Sequence, residues 1–162
     1  MAAERTTAGT ESLVTLLHLE QRALAAATPD TLGFTIVNET LALVAYRQAA
    51  FFVMPANGKP KLTTASGLVS VAEDSPYAVW LARFAQTFPL ELHCHRLDIA
   101  STTPDFSEGW QEWLPAHLLV APLAGPDGRV AGLVMYAREA AWNEQEIALL
   151  DRLHLTYGHC LW

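Results

Sequence analysis

The chain predicts an α+β fold: an antiparallel sheet with the terminal helices on one face and a middle helix plus loops on the other. Three observations lead there. Two apolar runs, Leu118 to Leu123 and Val130 to Tyr136, flank the turn Gly125-Pro126-Asp127-Gly128. A capped amphipathic pattern follows from Asn143. Apolar periodicity over the whole chain gives the order helix, helix, strand, strand, helix, strand, loop, strand, strand, helix.

Residues 1–10 are small and polar and are expected to be flexible, leaving 11–162 as a single domain. A first helix is predicted from about Glu11 to Ala27, with Leu13, Leu16, Leu17 and Leu24 on its apolar side. Thr28-Pro29-Asp30 opens a second helix, with Thr at the N-cap, Pro at the first helical position and an acid in the first turn. It is expected to reach Val44, with Ile36, Val37, Leu41 and Val44 inward. Tyr46 to Met54 is a β-branched and aromatic run, buried on both sides except near Arg47 and Gln48. Asn57-Gly58 signals a two-residue hairpin turn, and Leu62 to Val71 returns as the partner strand.

Ser75-Pro76 opens a middle helix to about Phe88, with Tyr77, Trp80, Leu81 and Phe84 at helical spacing. Leu90 to Leu97 reads as a strand, and 98–116 as a loop with one helical turn near Trp110. In the hairpin that follows, neither flank alternates, so both faces are covered. Pro122 removes a ladder donor and belongs at an edge or a bulge. Asn143 caps the last helix, Glu146 completes a capping box, and Trp142 can pack on Ile147 as a hydrophobic staple. Ile147, Leu150, Leu153, His154, Tyr157 and Leu161 then recur at helical spacing up to Trp162, as in a helix that continues into a longer protein.

This ordered set resembles the second half of GAF domains. The resemblance is carried by Val120, Pro122, Leu123, Asp127, Gly128, Gly132, Leu133, Val134, Glu146, Ile147, Leu149 and Leu150, and it covers residues 117–153. Elsewhere the chain matches the family in element order. The resemblance implies a ligand site between the sheet and the middle helix and loops, and terminal helices that pair two copies into a homodimer. A shorter stretch, Val37 to Gln48, is similar to N-terminal regions of membrane-fusion adaptor proteins of bacterial secretion and efflux systems.

Composition narrows the function classes. The 162 residues are 51% hydrophobic and only 17% charged, which leaves apolar surface for a subunit interface or a ligand pocket. Net charge is −7 with no Lys/Arg cluster, which disfavours nucleic acid. Two distant cysteines make no disulfide framework, and residues 1–10 have no apolar core of a signal peptide. A cytoplasmic location is expected, either free or as the soluble part of a membrane-anchored protein. No membrane contact is expected within the chain, since no apolar run reaches the length of a span.

Candidate chemistry concentrates in two places. In Glu91-Leu-His-Cys-His-Arg96, His93 and His95 would share one strand face and Cys94 the other. Two histidines without a third ligand read as solvated edge residues beside a buried thiol, so no metal is assigned. A Cys-His dipeptide also marks bilin attachment in some GAF domains, but there it lies closer to the Pro-Leu strand. A thiol reductase would need a nucleophile and a resolving partner, and Cys160 falls on the terminal helix, away from the expected pocket. No Gly-rich phosphate loop, Gly-x-Ser-x-Gly elbow or His-Glu-x-x-His motif is present.

The second place is aromatic. Phe52, Met54, Tyr77, Trp80, Phe84, His95 and Trp110 are the candidate ligand-binding residues, suited to a planar small molecule. Each of them taken singly also fits ordinary core packing. Asp105, Glu108 and Trp113 belong to the segment expected to cover that pocket, and His18 and His154 to the stripes of the terminal helices. The expected function is a non-catalytic GAF-like sensory domain that binds a small ligand and signals through its terminal helices. The competing expectation is an interaction and dimerisation module whose pocket is filled by Tyr77, Trp80 and Phe84, the cytosolic head of a membrane-anchored adaptor. No cofactor is assigned.

Overall fold

A computed structural model describes residues 2–55, 58–66, 75–97 and 104–161, with side chains described from Gly9 in the first helix and from Phe106 in the fourth. Ten elements follow in chain order: α1 (Ala2–Ala25), α2 (Pro29–Phe34), β1 (Gln48–Val53), β2 (Lys61–Ala65), α3 (Pro76–Ala85), β3 (His95–Leu97), α4 (Pro104–Trp113), β4 (His117–Ala124), β5 (Val130–Arg138) and α5 (Glu144–Leu161). After α2 the chain continues through a π turn (Thr35–Glu39) and a 3-10 turn (Thr40–Ala42). The strands form one antiparallel sheet of order β2-β1-β5-β4-β3.

Alternation along the strands divides the core. Phe51, Leu119, Ala121, Leu123, Val134 and Tyr136 pack with α1, α2 and α5. Their neighbours Phe52, Leu118, Val120, Leu133 and Met135 pack with α3 and α4. Successive residues of a strand point to opposite faces, so a sheet covered on both sides needs an unbroken apolar run. The strands β4 and β5 are such runs, buried over almost their whole length.

The local signals in the sequence act as expected. In the β4–β5 turn, Gly128 takes φ +79° and Asp127 Oδ1 accepts from the Arg129 amide at 3.0 Å. Asn143 Oδ1 accepts from the Glu146 amide at 2.8 Å, and the Glu146 carboxylate accepts from the Asn143 amide at 3.1 Å. Trp142 and Ile147 are buried in one cluster. Thr28 and Ser75 cap α2 and α3 through their hydroxyls, each with Pro at the first helical position.

Pro122 shows how an interior strand tolerates a missing donor. Its register partner is Leu133 on β5, while β3 stops opposite Val120, so among the described residues no strand faces Pro122 on that side. The Pro122 carbonyl leaves the ladder and accepts from His154 at 3.2 Å instead. The bulge of β4 lies one step further, between Leu123 and Ala124.

Several expectations are corrected. α1 starts at Ala2 rather than Glu11. It buries Leu16, Leu19 and Ala23, whereas Leu13, Leu17 and Leu24 are exposed, because the apolar stripe is wider than its contact with α5. Leu41 is likewise exposed: the π and 3-10 turns carry Ile36, Val37 and Thr40 inward instead. The β1–β2 connection runs over 54–60, longer than a two-residue turn; Gly58 has φ +80°, and Asn57 lies outside the described residues. The stretch 98–116 holds a full helix, α4, and the strand expected at 90–97 is only His95–Leu97. Residues 67–71 of the expected second strand, the Asp105 side chain and Trp162 lie outside the described residues. Among the described residues no helix is long and apolar enough to cross a membrane.

Candidate aromatic site

The helices α3 and α4 lie on the sheet face that carries Phe52, Val120 and Met135. Phe84 is the hub of their contact. Its ring lies 4.8 Å from Trp80, 4.9 Å from Phe88, 5.6 Å from Phe106 and 5.7 Å from Trp110, measured between centroids. Phe52 reaches the group edge-on through Phe88 at 6.4 Å. Phe52, Phe84 and Trp110 are fully buried, and Met54, Tyr77 and Trp80 pack against the same cluster with part of their surface exposed. The structure therefore brings six of the seven expected residues into one layer.

His95 joins that layer from the edge of the sheet. It stands opposite Val120 in the β3–β4 register, so the two side chains share the α3–α4 face. Its Nδ1 lies 3.5 Å from the Glu91 carboxylate, and its Nε2 is buried without a hydrogen-bond partner among the described residues. His93 is exposed, and Cys94 packs on the other face, against the α1–α5 cluster. Among the described residues, no three His, Cys, Asp or Glu side chains come together as a metal site.

The polar groups of the layer are few. Trp110 Nε1 donates to the Pro115 carbonyl at 2.8 Å. The Tyr77 hydroxyl donates to Gln48 Oε1 at 3.4 Å, and burial pushes its pKa up. Trp80 Nε1 is buried and has no acceptor among the described residues. A site made of ring faces with a few inward polar atoms suits a planar, largely apolar ligand. Both cysteines lie with the α1–α5 cluster rather than in this layer, and burial raises both thiol pKa values.

Phe88, Phe106 and Met135 also line this layer and were not among the expected residues. Phe106 was hidden because its segment reads as loop. Its spacing of four from Trp110 was the available signal, since residues so spaced share a helix face.

On the opposite face of the sheet, buried polar contacts join α5 to β5 and to the 3-10 turn. Tyr136 bonds His154 at 2.7 Å, and Thr40 bonds Tyr157 at 2.9 Å. Burial drives the His154 pKa down to about 4, and the Pro122 carbonyl and Asp151 only partly offset it. Further out, Leu13, Val14, Leu17 and Leu24 expose an apolar stripe on α1. An open groove of about 930 Å³ runs between α1 and the 35–42 segment, lined by His18, Arg22, Glu39 and Leu41 among others.

No family model matches the chain, and no curated protein matches it in sequence. Solved structures do. The GAF domain of a phosphoenolpyruvate-protein phosphotransferase from Acinetobacter superposes with a TM-score of 0.66 at 15% identity, covering 92% of this chain and 91% of that one. The GAF domain of a protein described as a sensor histidine kinase, from Pseudomonas syringae pv. tomato, gives 0.63 at 16% identity, covering 99% and 92%. The chromophore-binding domain of a bacteriophytochrome from R. palustris gives 0.66 at 10% identity, covering 93% of this chain and 60% of that one. At these identities the likeness is one of fold, and the chain has a GAF-like fold.

Proposed function

We propose that the chain is a non-catalytic sensory or regulatory domain that holds a small planar ligand between the sheet and α3–α4 and signals through α1 and α5. The observation that carries this reading is the two-sided sheet. Leu118 and Val120 of β4 touch the aromatic layer, while Leu119, Ala121 and Leu123 of the same strand touch the α1–α5 layer. A ligand that favours one arrangement of the aromatic layer thereby biases the seat of α5. Only a difference in affinity between the two arrangements is needed. Similar folds in a sensor kinase and a phytochrome support a sensory reading. The exposed stripe on α1 supports pairing of two copies through the terminal helices. The charge of −7 and two free thiols fit a cytoplasmic setting, free or tethered to a membrane-anchored protein.

Native mass spectrometry of the protein purified from cells tests the reading. A retained small molecule, released on denaturation and reduced in a Phe84→Ala variant, is the expected result. A bare polypeptide mass from every preparation would sink it. One observation favours a second reading: four rings already pack against Phe84. A module with a permanently filled pocket would only dock a partner, as in the head of a secretion or efflux adaptor. It would stay bare in the same experiment.

A further inference from the structure

Trp80 is seated in an unusual way for a buried indole. The Nε1 side of its ring lies against Gly109 of α4, so closely that a methyl group at Gly109 would overlap the ring. The position therefore admits the indole only because it is glycine. The seat gives the ring apolar contact, including Phe84 at 4.8 Å, but gives its N–H nothing. Nε1 is buried and has no hydrogen-bond acceptor among the described residues. A buried indole N–H ordinarily finds a partner, because water would otherwise supply one. Trp80 as a residue is only partly buried, so part of it already meets solvent.

We propose that Trp80 is a displaceable plug of the aromatic pocket, a device that rests on the ligand-binding reading above. In the seated state its indole fills the gap between α3 and α4. Rotation about the side-chain torsions carries the ring outward, where Nε1–H gains a water partner. The vacated face of Phe84 then accepts the planar ligand. His95 Nε2, the other buried polar atom without a partner on that side, is available to a polar substituent of the same ligand. The plug makes apparent affinity proportional to the unseated fraction, so a change that unseats Trp80 tightens binding.

The test uses the intact chain labelled with 5-fluorotryptophan, whose five tryptophans give separable fluorine signals. Trp80→Phe assigns the signal of interest. In the wild type that signal exchanges between a buried and a solvent-exposed position. In Gly109→Ala it collapses to the exposed one. The probe for binding is 8-anilinonaphthalene-1-sulfonate, whose flat apolar naphthalene carries an anionic acceptor group. Its affinity rises about tenfold in Gly109→Ala if roughly a tenth of the wild type is unseated. Trp80→Ala, which removes the plug without adding bulk, shows the same gain should Gly109→Ala fold poorly, and a cooperative melt is required of each variant. A single, buried, non-exchanging Trp80 signal overturns the plug. So does saturable binding of equal strength in the wild type and both variants, which leaves the pocket reading standing. No saturable binding by any of the three overturns both.

Discussion

The Tyr136 hydroxyl donates to Nε2 of the fully buried His154 at 2.7 Å, tying β5 to the middle of α5. The tautomer follows from the other side of the ring. Nδ1 faces the Pro122 carbonyl at 3.2 Å, which can only accept, so Nδ1 carries the proton and Nε2 accepts from tyrosine. Both ring nitrogens are satisfied with the imidazole neutral. Protonation would place a second hydrogen opposite the tyrosine hydroxyl and a charge in the core.

That relationship sets a pH dependence. The unfolded chain takes up this proton near pH 6.5, whereas the folded chain resists until about pH 4. The unfolded state thus binds more protons in that window, and stability falls as pH drops through it. The gap corresponds to roughly 3 kcal/mol, fully present above pH 6.5. Denaturant midpoints recorded from pH 7 to pH 4 should show this slope in the wild type. His154→Gln should be less stable at pH 7 and lose much of the slope; parallel slopes would remove His154 as the cause.

Glu146 has two tasks. It completes the cap of α5 and receives Arg138, whose guanidinium bonds both carboxylate oxygens at 2.5 and 2.6 Å and stacks 3.9 Å over the Trp142 ring. Arg138 holds the Glu146 carboxyl below its ordinary pKa, so this contribution is present above pH 4.5 and is lost at lower pH. Glu146→Ala should cost about 2 kcal/mol, more than the ~1 kcal/mol of a cap alone, because Arg138 loses its charged partner. Urea denaturation at pH 7 measures it, and a loss under about 0.5 kcal/mol would reduce the pair to a surface contact.

Thr40 and Tyr157 form a buried hydroxyl pair at 2.9 Å between the 3-10 turn and α5. Removing either hydroxyl strands the other, so Thr40→Val and Tyr157→Phe should each cost about 1–2 kcal/mol. The double variant should cost less than the sum of the two. Strict additivity in a double-mutant cycle would show that the hydroxyls do not depend on each other.

At Gly158 the helix α5 approaches the sheet closely. A Cβ there would meet the backbone of Ala124, which has no side-chain freedom to yield. Alanine normally favours a helix interior over glycine by about 1 kcal/mol, yet overpacking of this kind costs about 1–3 kcal/mol. Gly158→Ala should therefore destabilise, and a raised melting temperature would contradict the close approach.

Leu17 is 60% exposed on α1 and contributes little to the fold of one chain. If the terminal helices pair two copies, Leu17→Glu should convert dimer to monomer in light scattering with little change in secondary structure. A wild-type protein that stays monomeric at high concentration would dispose of the pairing.

The caps, turns and apolar runs were legible because each depends on residues a few positions apart. Asn143 and Glu146 cap each other across three residues, and Asp127-Gly128 makes its turn from its own dihedrals. The β4 and β5 runs declared a sheet covered on both faces by their unbroken hydrophobicity. The shared helix face of Tyr77, Trp80 and Phe84 was legible from their spacing. Whether they meet a ligand or one another is not a local property.

Packing between distant segments decided the rest. The segment from Pro104 to Trp113 carries Pro, Asp, Ser and Gly, weak helix formers that read as loop. It is helical because Phe106 and Trp110 find the Phe84 ring, a gain that local propensity does not contain. Leu16 and Leu17 are adjacent and alike, yet one is buried and the other exposed according to where α5 lies. The sequence by itself determined which residues turn, cap and alternate. The tertiary structure alone decided that Trp80 rests on Gly109 and that His154 is held neutral, because both depend on contacts between chain segments far apart in sequence.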